Sequence, residues 1–450
     1  MLARVTSSAV LGVDAHPIAV EVHMAYGMQS FKTVGLPDGA VREARVRIKS
    51  ALVNTALEWP VRNITVNLAP ADVHKAGTAY DLPMATALLA ASQQINARGP
   101  SWALEDFMIA GELSLSGEVR PIRGALPMAI CAMEQGCKAI ILPAQNAAEA
   151  AIVEGLTVLP VRHLRQVVGF FRGQELPEYE PETLAPIDLP CAHMDFNEVK
   201  GQENAKRALE VAAAGGHNVL MVGSPGSGKT MLARRLSSIL PSMSFQESLE
   251  VTKIYSVLGL LPGGAGLLDQ RPFRSPHHTI TSVGLIGGGS GMPRPGEVSL
   301  AHNGILFLDE LPEFQKRTLE VLRQPLEDQR VTITRAMMSL TYPSSVTLIA
   351  SMNPCPCGYA GDPTHPCRCS AQQQQQYRSR ISGPLMDRID IHIEVPAVRY
   401  RELRQVEGGQ SSAEIRRRVQ ATRQRQDERF QKSPEVHCNA QMRPAHLRDF

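Results

Sequence analysis

Nowhere in the 450 residues is there an apolar run of the eighteen or more residues that a bilayer-spanning helix needs. The N-terminus also lacks a basic stretch leading into an apolar core, the mark of a secretory signal. A soluble, cytoplasmic protein with no membrane partner is therefore expected. An excess of one charge is missing too: 46 Lys and Arg stand against 44 Asp and Glu, so net charge alone declares no polyanionic partner. The charge is unevenly placed, however. Arg416, Arg417, Arg418, Arg423, Arg425 and Arg429 form a basic stretch, whereas Glu175 to Glu182 is acidic and proline-rich. Eight cysteines are too few to build a disulfide scaffold in a chain this long. The length itself calls for two or three domains.

What is present begins with Gly-Ser-Pro-Gly-Ser-Gly-Lys-Thr over Gly223 to Thr230. In such a phosphate-binding loop the glycines let backbone N–H groups converge on phosphate oxygens with no Cβ in the way. Gly223, Ser224, Pro225, Gly226, Ser227 and Gly228 are thus expected to cradle ATP. Lys229 reaches its terminal phosphates, and Thr230 supplies a hydroxyl to Mg²⁺. The context fits. Val219 to Val222 reads as a doubly buried strand, and Leu232, Ala233, Leu236, Ile239 and Leu240 recur at helical spacing after the loop. A second buried strand, Ile305 to Leu308, runs into Asp309 and Glu310. Carboxylates at the C-terminal edge of a parallel sheet lie where ligands bind. Asp309 is expected to hold Mg²⁺, directly or through water, and Glu310 to orient and polarise the attacking water.

Residues 173–194 carry proline every few positions and read as an extended linker. They separate an N-terminal domain, 1–172, from a motor domain, 195–400, followed by 401–450. In the first domain Ile18, Val20 and Val22 alternate as a half-buried strand, as do Ile64, Val66 and Leu68. Asp38 is placed to cap a helix with Val41, Ala44, Ile48 and Leu52 on one face. A helix from Asp81 to Ile95, a hairpin across Ser116 and Gly117, a helix from about Ala125 to Gln135 and a strand from Ala139 to Leu142 complete an α+β domain.

The runs Gly77 to Leu88, Ile109 to Ile122 and Gly136 to Pro143 resemble the proteolytic domain of the Lon proteases, a ribosomal S5 domain 2-like fold. That family uses a Ser nucleophile and a Lys base. Here those positions fall on Ala79 and Met128, neither of which can serve in that chemistry. The resemblance implies the fold without peptidase activity, and leaves assembly, partner binding and DNA contact open as the domain's role.

From Val199 to Leu209 through Ile389 to Glu394, the chain resembles the magnesium-chelatase branch of the AAA+ ATPases. Both domains together are most similar to the ComM/YifB family. The marks are Arg271 to His278, Gly287 to Gly289, Pro295 to His302 and Pro354 to Gly358. The resemblance implies an α/β multidomain protein with a P-loop AAA+ domain. It makes Asn353 the sensor amide, bonded to the attacking water or the γ-phosphate. Arg388 becomes an arginine finger reaching the nucleotide of the next subunit, where a fixed guanidinium suits the charge of a transferring phosphoryl group. A finger in trans implies a ring, by family likeness a hexamer. Ser282 to Ser299 and a hairpin over Val331 to Tyr342, with Arg335 near its tip, match inserts that face the pore. Phosphate contact by Arg335 is one reading of the hairpin and a solvated hairpin the other.

Cys355, Cys357, Cys367 and Cys369 supply two close thiol pairs, the donor set of a structural zinc site, although the spacing is tighter than the usual C-x₂-C. Disulfides are the weaker alternative. The glutamines Gln372 to Gln376 begin a helix rather than a low-complexity tract.

The resemblance implies an ATP-dependent DNA translocase or helicase. It would promote branch migration on single-stranded or branched DNA during recombination of incoming DNA in natural transformation. The alternatives are a magnesium-chelatase-like metal-insertion motor and a protein unfoldase or regulator of an ATP-dependent protease. Residues 401–450 match only the start of the family's helical lid, so a fragment or an abbreviated lid is expected.

Overall fold

The computed structural model describes residues 1–96, 103–180, 194–262, 266–289, 292–335, 338–362, 365–397, 409–431, 433, 436–442 and 446–448. Most of the interdomain linker, the first residues of the 401–450 segment and the two residues at the tip of the Val331–Tyr342 hairpin lie outside them. Met1–Pro186 with Thr252–Leu268 form one compact unit, and Ile187–Val251 with Asp269–Phe450 form a second.

The first unit is built on a seven-stranded mixed sheet. Its order is Ser30–Val34, Asn63–Ala69, Asp14–Ala25, Leu2–Leu11, Phe107–Ile109, Ala139–Pro143 and Thr157–Val161. Alternation decides its faces: Ile18, Val20, Val22, Ile64, Val66 and Leu68 are all buried in one core. The helix Gly39–Asn54 starts where expected, because the Asp38 carboxylate accepts from the Val41 amide at 2.8 Å. The next helix spans Asp81–Ala91, ending short of Ile95. Gln93 takes φ +62° and the Gln94 amide returns to Leu89 O at 2.9 Å, a left-handed turn that stops helical propagation. Glu112–Leu113 and Val119–Arg120 form the short hairpin. The segment Thr252–Leu268 is held in this unit through Ser256, which donates to Glu149 at 2.6 Å and accepts from the Gly124 amide at 3.0 Å. Burial raises the Glu149 pKa against the hydrogen bonds from Ser256 and Asn146.

Asp81 lies at the start of its helix with 1% of its side chain exposed, and Arg47 grips both carboxylate oxygens at 2.6 and 2.9 Å. Burial pushes the Asp81 pKa up, and the Arg47 hydrogen bonds oppose it. Arg47→Ala removes the charge that pairs with a buried carboxylate. A loss of about 3 kcal/mol is expected, the lower end for breaking a buried pair because water reaches Arg47. Chemical denaturation reads it; an unchanged midpoint would mean that Asp81 is neutral in the native protein.

The second unit is a five-stranded sheet in the order Phe273–Arg274, Gly304–Leu308, Val346–Met352, Val219–Val222, Ile391–Glu394. Every neighbouring pair is parallel. Burial on both faces explains why the inner strands Val219–Val222 and Gly304–Leu308 read as unbroken apolar runs; all of Gly304–Leu308 is buried. Helices Glu203–Gly215 and Lys229–Ile239 cover it, and Ser412–Phe430 packs on both through Ile415 and Val419. Within the basic stretch, Arg418 is committed to Glu210 at 2.6 Å. The glutamine run does become a helix, Ala371–Arg378, started by a capping box of Ser370 and Gln373.

The two inserts pack against each other. Gly287–Gly288 pairs with Arg294–Pro295, and Arg330–Arg335 pairs with Met338–Pro343. The buried Tyr342 of the hairpin donates to Pro293 O of the glycine ribbon at 2.6 Å. Among the described residues no helix is long and apolar enough to cross a membrane.

Candidate active site

The strand order puts the chemistry together. Val346–Met352 lies between the strand that enters the phosphate loop and the strand that ends at Asp309. The residue after it, Asn353, therefore falls between the loop and the carboxylates. Gly226 and Gly228 take φ of +76° and +91°, left-handed conformations that a Cβ would strain, and they turn the loop into the helix that starts at Lys229.

Lys229 is 8% exposed. Its ammonium donates to Gly223 O at 2.7 Å, Ser224 O at 3.0 Å and Asn353 Oδ1 at 3.3 Å. Burial lowers its pKa, while Asp309 and Glu310 pull it back up. The lysine is thus a charge held over the loop by acceptors on both sides.

Thr230 Oγ1 donates to Asp309 Oδ2 at 2.7 Å. The other Asp309 oxygen accepts from Ser351 Oγ and from the Glu310 amide at 3.1 Å. A hydroxyl and a carboxylate oxygen in contact fit Mg²⁺, since two ligands at about 2.1 Å on an octahedral edge stand about 3.0 Å apart. Thr230 and Asp309 are the residues that would hold it, with water completing the shell.

Glu310 has φ +54°, unusual for a residue with a side chain and typical of strained backbone at functional sites. Its half-exposed carboxylate lies 3.5 Å from His278 Nδ1. His278 stacks on His277 with ring centroids 4.0 Å apart. The backbone N–H of Asn353 also donates to the Tyr377 phenol oxygen, and burial pushes that phenol's pKa up to about 12. Lys229, Thr230, Asp309, Glu310 and Asn353 therefore form one constellation.

Arg388 makes its contacts elsewhere, on Glu327 and on Pro384 O at 2.8 Å. Its partner Glu327 is held below the ordinary carboxylate range by that guanidinium.

Sequence reasoning missed four contributors. Gln202 takes φ +57° and donates to Ser227 O in the phosphate loop and to Pro396 O at 3.3 Å. Gly358 touches Pro225. Ser351 braces Asp309, and His278 faces Glu310. Gln202, His278 and Gly358 stand in motifs that mark the family, which was the available signal. Ser351 is inside an apolar strand and carries none.

All four cysteine sulfurs lie within 4.8 Å of one another. Cys355 is 3.3 Å from Cys357 and 3.6 Å from Cys367, and Cys357 is 3.6 Å from Cys367. Sulfurs on a tetrahedral zinc with bonds of about 2.3 Å stand about 3.8 Å apart, so the donor set and its spacing fit the metal. The backbone amides of Arg368 and Tyr359 and the Cys355 thiol bring the Cys357 pKa down to about 6, while the neighbouring thiols push Cys367 and Cys369 up, so the thiolate that a metal binds forms at Cys357 before those two.

In the first unit Ala79 packs against the apolar cluster that contains Met128, Met108, Ala129 and Ile140. Hydrocarbon fills the positions where the Lon-like pattern places its nucleophile and base.

Residues 195–403 match the family described as magnesium chelatase, subunit ChlI, and residues 20–146 match that described as subunit ChlI of Mg-chelatase. Protein YifB of Escherichia coli (strain K12) is 44% identical over 97% of this chain and 85% of its own length. Competence protein ComM of Haemophilus influenzae is 43% identical over 95% of this chain and 83% of its own. Lon protease 2 of Bacillus subtilis is 29% identical over 34% of this chain and 29% of its own.

Proposed function

This chain belongs to the ComM/YifB family of magnesium-chelatase-like AAA+ proteins, and from that premise we propose that it is an ATP-hydrolysing motor that moves along DNA. The constellation of Lys229, Thr230, Asp309, Glu310 and Asn353 carries the ATPase part. The phosphate loop and Lys229 bind the phosphates, and Thr230 with Asp309 hold Mg²⁺. Glu310 polarises the attacking water, and Asn353 orients that water or the γ-phosphate. Transfer to water needs little covalent participation by the protein, so positioning and charge account for most of the catalysis. Arg388 acts on the nucleotide of a neighbouring subunit. Its ion pair with Glu327 then exchanges for the phosphoryl group when a ring forms, and family likeness makes that ring a hexamer.

The chemistry of the inserts supports DNA as the track. The outward face of the hairpin pairs hydroxyls across the strands, Thr332 with Thr341 at 3.0 Å and Thr334 with Ser339 at 3.1 Å. Arg330 and Arg335 on the hairpin and Arg294 on the glycine ribbon are exposed. Hydroxyls and guanidinium groups without an interposed carboxylate are the donors that hold a phosphate backbone irrespective of base sequence. The family resemblance and the competence role named for the Haemophilus influenzae relative extend this to branch migration during recombination of incoming DNA. Structural zinc on the four cysteines completes the cofactor set.

The test is the ATPase rate with and without single-stranded or branched DNA. Several-fold stimulation at low salt is expected. Three phosphate contacts per subunit, from Arg294, Arg330 and Arg335, give the DNA binding constant a log–log salt slope of about −2 for a single strand. Stimulation by casein with none by DNA would put an unfoldase in its place.

A further inference from the structure

The cysteine loop abuts the nucleotide site, and its role there rests on the zinc reading but goes past it. We propose that metal held by Cys355, Cys357, Cys367 and Cys369 braces the phosphate-binding loop, so that nucleotide affinity depends on metal occupancy.

The contact is through Gly358, immediately after Cys357. A Cβ at Gly358 would stand 2.6 Å from Pro225 Cδ and 2.7 Å from Pro225 Cγ, and its φ is +87°. The backbone of the cysteine loop therefore rests on the proline ring in the middle of the phosphate loop. Gly358 is held there by a turn between thiol donors, its amide donating to Cys355 O at 2.9 Å. Cys355 is fully buried. Proline lacks an N–H, so Pro225 gives the phosphates no backbone donor, and pressing on its ring from outside costs no phosphate contact of its own.

The loop is tied to the site at both ends. On its N-terminal side Asn353, two positions before Cys355, accepts from Lys229 at 3.3 Å. On its C-terminal side Gln374 donates to Cys369 O at 3.3 Å and approaches Cys367 Sγ at 3.7 Å. Gln374 is on the helix Ala371–Arg378, whose Tyr377 phenol accepts from the backbone N–H of Asn353. A thiophilic divalent cation replaces four independent side-chain rotors with one tetrahedron. It thereby fixes where Gly358 stands against Pro225 and where Asn353 stands against Lys229. Without it the loop keeps its chain connections and loses its rigidity.

The experiment uses the full chain. Zinc per chain is measured by atomic emission, and affinity by a fluorescent ATP analogue, with neither reading relying on turnover. Zinc is removed with a mercurial thiol reagent and chelator, the reagents are then dialysed away with reductant, and Mg²⁺ is restored. One zinc per chain is expected. Its removal should weaken nucleotide binding at least tenfold, and added zinc should restore it. Gly358→Ala, which forces the loop off Pro225 while keeping all four thiols, should retain one zinc and bind nucleotide at least fivefold more weakly. Pro225→Ala removes the ring, so zinc removal should change its affinity far less than that of the parent.

Protein that neither carries nor takes up zinc overturns the zinc reading, and the brace with it. One zinc per chain together with an affinity indifferent to its removal overturns the brace alone. So does a zinc-loaded Gly358→Ala that binds nucleotide like the parent, or a Pro225→Ala that still loses affinity in full.

Discussion

Replacing Lys229 by alanine is expected to reduce nucleotide affinity at least a hundredfold and to leave the fold intact. The ammonium is the single cation held at the loop by Gly223 O, Ser224 O and Asn353 Oδ1 among the described contacts. Each charge-assisted hydrogen bond to a phosphate is worth about 1.5–3 kcal/mol, so two such bonds amount to about 3 kcal/mol or more. At 1.4 kcal/mol per tenfold, that is the stated loss. The cost to stability is small. Lys229 is buried against its own ionisation preference, with burial lowering its pKa, and the carbonyls it leaves border a site that water enters. Binding of a fluorescent ATP analogue beside a thermal melt separates the two effects. A variant that still binds within threefold of the parent would remove Gly223 to Thr230 from the nucleotide site.

Glu310→Gln is expected to behave oppositely, binding ATP as the parent does and hydrolysing it roughly 10²–10⁴-fold more slowly, the range general-base contributions span. The amide is isosteric and keeps the left-handed φ of +54° that the site already tolerates. It keeps a polar group facing His278, 3.5 Å away in the parent, and loses only the ability to draw a proton from water. Because Thr230 and Asp309 are untouched, Mg²⁺ stays in place, and ATP-bound subunits should accumulate as an assembled ring readable by mass photometry. Undiminished turnover would pass the role of base to another group.

Much of the fold was legible because its patterns are local. Apolar alternation at Ile18, Val20 and Val22 and the cap at Asp38 each involve residues within one turn or one strand, and both are found as expected. The end of the helix at Ala91 was not, because Gln93 turns left-handed without the glycine that normally signals such a turn. The place of Thr252–Leu268 in the first unit was also hidden. It depends on Ser256 meeting Glu149, more than a hundred residues away, and no periodicity encodes that.

By itself the sequence determined that a phosphate loop stands at Gly223 to Thr230, that Asp309 and Glu310 end a buried strand, and that four thiols lie close along the chain. These are contiguous motifs, and the covalent chain alone sets their spacing. Only the tertiary structure decided which of them touch. The strand Val346–Met352 inserts between the other two, so Asn353 meets Lys229, Ser351 meets Asp309, and the cysteine loop that follows falls on Pro225. Strand order comes from long-range pairing, and pairing between strands as far apart in sequence as Val219–Val222 and Val346–Met352 leaves no trace in either strand's own pattern.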